Sequence, residues 1–195
     1  MASTEVSNQP SAVFSPAFTF ADPLAKWQIT AQQWLAANNS NLNGIATGVI
    51  VFDPSGRVLL IQRASTDSMP NRWEFPGGAV DPEDESLLHG AARELWEESG
   101  LVATRFTFFV PETPGTEVGT MFTNRNGTKH FCRFTFIAEV EDWEKVVLDP
   151  KEHQDYVWAT EEEVREQKIG EREIPITMPP IQALLLEAFR IRQSL

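Results

Sequence analysis

The stretch Trp73 to Leu101, WEFPGGAVDPEDESLLHGAARELWEESGL, decides how the rest of the chain is read. It sets a Gly-Gly turn, Gly77-Gly78, directly ahead of a segment with helical periodicity. On a helix of about 3.6 residues per turn, positions three and four apart share a face, which gathers Glu94, Glu97 and Glu98 onto one edge. Leu87, Leu88, Ala91, Ala92 and Leu95 fall on a different arc, so the acidic stripe is separate from the stripe that packs. Like charges at this spacing destabilise a helix by about 0.2–0.5 kcal/mol per pair, a repulsion that a divalent cation would remove. Gly90 projects into the acidic arc at a cost of about 1 kcal/mol relative to alanine. Its missing side chain either leaves room for a metal ion or phosphate, or serves close packing.

These residues resemble the Nudix box, whose pattern is glycine, five residues, glutamate, seven residues, then Arg-Glu-hydrophobic-x-Glu-Glu-x-Gly-hydrophobic. Arg93, Glu94, Leu95, Glu97, Glu98, Gly100 and Leu101 match its second half at every specified position. In the first half six residues, Ala79 to Asp84, separate Gly78 from Glu85, one more than the family pattern. Asp84 keeps the family's distance from Gly78 and Glu85 keeps its distance from Arg93. Helix spacing favours Glu85 as the box residue. The resemblance implies an α/β fold, an α/β/α sandwich with a mixed β-sheet in which the catalytic helix follows the Gly-Gly turn.

Composition narrows the partners. A chain of 195 residues with 42% hydrophobic and 23% charged residues suits one domain with a full core, plus tails. It contains no run of about 20 apolar residues, so a soluble protein without a membrane partner is expected. The net charge of −12 disfavours binding a nucleic-acid polymer, since phosphate backbones need a basic surface. A small phosphorylated ligand stays compatible if a cation and a few Arg or Lys residues reverse the field locally. The single cysteine, Cys132, excludes an intramolecular disulfide, and a reducing, cytoplasmic compartment is the simplest reading.

Taken in order, residues 1–20 read as a flexible N-terminal tail, with Phe14, Phe18 and Phe20 as candidates to dock on the domain. Residues 21–43 read as one helix packed on the domain, opened by Asp22-Pro23 and carrying Trp27 and Trp34. The domain itself is assigned to 44–195. GIATGVIVF and RVLLIQR flank the turn Asp53 to Gly56 and predict a hairpin. Asn126-Gly127 predicts a second hairpin, between Thr120–Thr123 and Lys129–Val140. Lys151 to Thr160 reads as a loop ahead of a helix over 161–167, and Met178-Pro179-Pro180 opens a terminal helix.

The resemblance implies hydrolysis of a nucleoside diphosphate linked to a further group, a small-molecule substrate, with water attacking phosphorus. Mg²⁺, or Mn²⁺, is the implied cofactor, because hard oxygen donors suit those ions. Glu97 and Glu98 are assigned as metal ligands, and Glu94 as a further ligand or the water-orienting base. Gly77 is assigned a ligating carbonyl, and Glu152 joins as an acid from the loop after the box. Arg93 is expected to hold Glu85 by a charge-assisted pair and so fix the turn. Which carboxylate takes the proton stays open, as does the identity of the group beyond the diphosphate. Trp27, Trp34, Phe109 and Phe122 either stack a substrate ring or pack, with packing expected for each. Family members often pair, so a homodimer through the first or last helix is compatible. The competing functions are a Nudix-fold nucleotide sensor without turnover, the isomerase branch of the fold, and a purely structural acidic face. Survival of every box carboxylate argues against the first, and the accompanying glycines and arginine against the last.

Overall fold

The computed structural model describes residues 17–124 and 126–194. The tail expected over residues 1–16, Phe14 included, lies outside them. Thr19–Phe20 is not tail: it forms a short strand, β1, parallel to β5 (Ala103–Val110). Phe18 packs its ring on Phe106 and on His89.

Residues 22–37 also depart from the single helix expected. A 3-10 helix over Asp22–Trp27 is followed by α1, Ala31–Ala37, which restarts behind a capping box formed by Thr30 and Gln33. The break exposes the Ile29 carbonyl, which accepts a hydrogen bond at 2.9 Å from the Leu87 N–H. That N–H is one of the first-turn donors of α2, Leu87–Ser99, which has no partner within its own helix. The N-terminal segment thereby holds the start of the acidic helix. Trp27 is buried against Phe134 and Phe109, with ring centroids 4.5 and 5.2 Å away, so packing is its role.

The larger sheet runs β1-β5-β7-β2, where β2 is Gly44–Val51 and β7 is His130–Val140. β6, Thr120–Thr123, pairs with the first residues of β7. β2 and β7 are parallel while β5 and β7 are antiparallel, so the sheet is mixed. A second sheet orders β4-β3-β8, with β3 at Val58–Arg63, β4 at Trp73–Glu74 and β8 at His153–Ala159. The turn after β2 forms, with Asp53 N–H to Arg57 O at 2.9 Å, but apart from one bridge, Phe52 to Val58, its strands part into different sheets. Both strands are buried on two faces, and each face meets a different helical layer. The segment expected as a loop over 151–160 contains β8, antiparallel to β3.

Side-chain alternation divides the core in two. Ile45, Val49 and Val51 of β2 join Leu59 and Ile61 of β3 and the α2 residues Leu87, Leu88, Ala91, Ala92 and Leu95. After a short helix α3, Glu161–Glu166, comes the terminal helix α4, Pro179–Gln193, whose Ile181, Leu184, Leu185 and Ala188 face the intervening Ile50, Val58 and Leu60. A register shift in β5 between Phe106 and Phe108 lets Phe106 and Phe109 point to the α2 side and Phe108 to the α4 side. Helices therefore cover both faces of the strands, an α/β/α sandwich. Each buried leucine of α2 contributes about 1.5–3 kcal/mol, which outweighs the repulsion along the acidic edge.

Candidate active site

The turn after β4 is laid along β2. Val49 N–H donates to Pro76 O, Thr47 N–H to Gly78 O, and Val80 N–H to Ile45 O, at 2.8, 2.8 and 2.9 Å. The Gly77 carbonyl takes part in none of these. A Cβ on Gly77 would lie 2.3 Å from the Thr47 carbonyl oxygen, and one on Gly78 would lie 2.5 Å from Glu94 Oε2. Glycine is required at 77 by neighbouring backbone, whereas at 78 a side chain would have to displace the Glu94 carboxylate. The Gly77 N–H donates to Glu98 Oε2 at 2.6 Å, which joins the turn to the helix.

Of the three acids on the edge of α2, Glu97 is exposed, while Glu94 and Glu98 are largely covered. Burial pushes the Glu94 carboxyl up to about 7 against the opposing pull of Arg93. Burial likewise raises Glu98 well above the carboxylate range, with Glu74, Glu94 and Glu152 adding repulsion. A tight turn, with Glu152 N–H to Asp149 O at 3.1 Å and His153 N–H to Asp149 O at 2.8 Å, brings a further acid over. Ligand atoms of Glu98, Glu152 and His153 all lie within 4.8 Å of one another. His153 is buried, and neither of its ring nitrogens has a hydrogen-bond partner. Converging carboxylates that repel each other, together with an unpartnered imidazole, fit a divalent cation.

Three comparisons with known proteins bear on this geometry. A match to the NUDIX domain family spans residues 42–178. The chain belongs to the Nudix family. It is 30% identical over 139 residues to the CTP pyrophosphohydrolase of Escherichia coli (strain K12), covering 71% of this chain and 86% of that one. It is 54% identical over 61 residues to the m7GpppN-mRNA hydrolase NUDT17 of Bos taurus, covering 30% of this chain and only 20% of that protein. Its fold resembles the crystal structure of a MutT protein from Methanosarcina mazei Go1, with a TM-score of 0.57 at 24% identity over 78% of this chain and 96% of that one.

Within the Nudix box, the expected pair between Arg93 and Glu85 is not formed. Arg93 grips Asp84 instead, Nε to Oδ1 and Nη2 to Oδ2, both at 3.0 Å. Its remaining donors reach Glu94 Oε1, Glu97 Oε2 and the Ala79 carbonyl, each at 2.8 Å. Glu85 points outward with its side chain 70% exposed, 3.6 Å from His89. The helix starts at Leu87 behind the N-cap Ser86, so residues 84–86 do not follow helical spacing and the count back from Arg93 to Glu85 carries no geometric force. The added residue is taken up at the helix entrance. Gly90 packs: a Cβ there would lie 2.8 Å from Asp84 Oδ2 and 3.2 Å from Val80.

A cavity of about 1130 Å³ opens over the Nudix box, with Glu94, Glu98 and Glu152 in its wall. Four polar groups at or behind that wall are missing from the sequence-based assignment. Arg63 is bonded to Glu74, to Asp67 and to Ser68. Burial raises the Glu74 carboxyl, but His153, 3.8 Å away, and then Arg63 and Arg133 bring it below its ordinary value. Glu74 had a signal, its place in the strand entering the Gly-Gly turn, and His153 had one in its adjacency to Glu152. Arg63 and Arg133 had none beyond a charge within an apolar strand.

Proposed function

We propose that this Nudix chain is a metal-dependent pyrophosphohydrolase that splits the phosphoanhydride of a nucleoside diphosphate linked to a further group. One observation carries the reading: acids from two separate elements, Glu94 and Glu98 on α2 and Glu152 in the turn before β8, meet at one cavity wall beside Gly77. Residues 44–195 form the hydrolytic unit, with 21–43 bracing its acidic helix.

Glu98, Glu152 and the Gly77 carbonyl would hold Mg²⁺ or Mn²⁺, with Glu97 and Glu94 beside them and His153 within reach. The cation supplies charge neutralisation on the diphosphate and activation of water. Arg93 orients the acids: it occupies Glu94 Oε1, which leaves Oε2, beside Gly78, as the oxygen able to take a proton. A carboxyl whose pKa is raised toward neutrality is suited to that transfer. Asp84 holds Arg93 in turn.

The names of the relatives point to nucleotide substrates, CTP in one case and a capped mRNA in the other. The net charge of −12 favours a small nucleotide over a polymer. A reducing cytoplasmic setting suits the lone Cys132, whose buried thiol is pushed up to about 11. No helix among the described residues is long and apolar enough to cross a membrane.

The test is turnover of a panel of nucleoside diphosphate derivatives with Mg²⁺ and Mn²⁺, with products identified by mass. Glu98→Gln keeps shape and removes charge, and is expected to lower turnover by at least about 10²-fold. Near-normal turnover of the variant at saturating Mg²⁺, or a wild type that binds nucleotides without cleaving any, sinks the reading.

A further inference from the structure

Arg133 occupies the first half of β7, paired with Ala46 on β2 and with Thr120 on β6, which places it in the middle of the larger sheet. Its guanidinium carbon lies 5.1 Å from the centroid of Phe122 and 5.9 Å from that of Phe75. Its Nε is buried without a hydrogen-bond partner, and among the described residues no carboxylate forms an ion pair with it. Arg63, the other arginine in the cavity wall, is fully engaged by Glu74, Asp67 and Ser68. Arg133 is thus a half-buried cation in the cavity wall whose donors have no hydrogen-bond partner among the described residues.

Such a group is expensive to keep. An unpaired ion taken out of water loses its solvation, and folded proteins normally pair such an ion or replace it. Burial accordingly pulls the Arg133 pKa down, and the nearby Glu74 and Glu98 oppose that pull only through space. Two aromatic faces hold the guanidinium plane without consuming its in-plane N–H donors, an arrangement that keeps the fork ready for a ligand. The rest of the wall carries Glu94, Glu97, Glu98, Asp149 and Glu152, a field that repels any anion. A phosphorylated substrate needs a fixed positive group to enter it, and a bidentate fork matches two phosphoryl oxygens.

We infer that Arg133 is a substrate-binding residue that receives a phosphoryl group of the diphosphate. The inference deepens the hydrolytic reading above and rests on it. It also accounts for how a chain of net charge −12 admits its substrate, since a half-buried cation is built into the wall of the site.

The test is calorimetric binding, in Mg²⁺, of methylenediphosphonate and of the α,β-methylene analogues of ADP and CDP, whose P–C–P bridge water cannot split. Arg133→Met fills the same space without charge. It is expected to weaken all three ligands by roughly tenfold to a hundredfold, the loss of one charge-assisted contact of about 1.5–3 kcal/mol. Its Tm should be no lower than wild type, because the substitution removes a half-buried ion that has no ion-pair partner among the described residues. Arg133→Lys keeps a charge but lacks the fork, and should weaken the same three ligands by a smaller factor. Unchanged affinities in both variants overturn the inference, as does a lower Tm with unchanged binding, which assigns the arginine to the fold. Weakening confined to one nucleotide overturns it in favour of base recognition, and a wild type that binds none of the three also overturns it. None of these outcomes touches the hydrolytic reading, which is tested by turnover of the wild type and of Glu98→Gln.

Discussion

Removing divalent cations should make the protein more stable in mild acid than in mild alkali, and Glu94 is the residue through which to measure it. Its carboxyl is raised from 4.5 to about 7, burial being the first cause. Between those values the folded chain holds a proton that the unfolded chain has released. Stability contributed at low pH is therefore lost as pH climbs from 4.5 through 7, the reverse of an ion-paired carboxylate. A rise of this size corresponds to about 3 kcal/mol, or about 6–12 °C in Tm for a domain of this length. Glu98 is shifted in the same direction and adds to the effect. The assay is urea unfolding in EDTA at pH 5 and pH 8, on wild type and on Glu94→Gln, which cannot titrate. The wild type should lose more stability across that interval than the variant, by about 2.5 kcal/mol, since part of the shift is already spent by pH 5. Adding Mn²⁺ at pH 8 should restore the wild type, because a cation offsets the repulsion between buried carboxylates. Equal losses in the two proteins, with or without the ion, would refute the claim that desolvation of this carboxyl shapes the site.

Other perturbations separate local from long-range effects. Asp84→Ala removes a two-point contact to Arg93 and should cost about 1.5–3 kcal/mol in urea unfolding, whereas Glu85→Ala should stay within about 0.5 kcal/mol; the opposite ranking would restore the helix-spacing assignment. Gly78→Ala places a Cβ 2.5 Å from Glu94 Oε2, an atom on a flexible side chain, so turnover should fall at least about tenfold while Tm changes little. A variant as active as wild type would show that the position of Glu94 is immaterial to the reaction.

Much of the site was legible before any coordinates. Helical period alone separated Leu87, Leu88 and Leu95 from Glu94, Glu97 and Glu98, because both stripes lie within one continuous element whose geometry is local. The Gly-Gly turn was readable for the same reason, as a short-range demand of the backbone; that Ser86 and Gly100 cap the helix came from the structure. The choice between Asp84 and Glu85 was not, since three residues outside the helix are free of its spacing, and only the contact with Arg93 selects one.

Tertiary structure decided everything that depends on residues far apart in the chain. The strands on either side of Asp53–Gly56 look like a hairpin locally, yet β2 joins β7 and β3 joins β8, pairings across some eighty to a hundred positions. Those pairings bring Glu152 and His153 to Glu98, and they set Arg133 in the cavity wall. The amino-acid order by itself determined that an acidic helix follows a glycine turn in an α/β chain. Which distant side chains complete that helix, and which cation among them lacks an ion pair within the described residues, was decided by sheet register, because period and capping act within a few residues while strand partners are selected by the burial of whole faces.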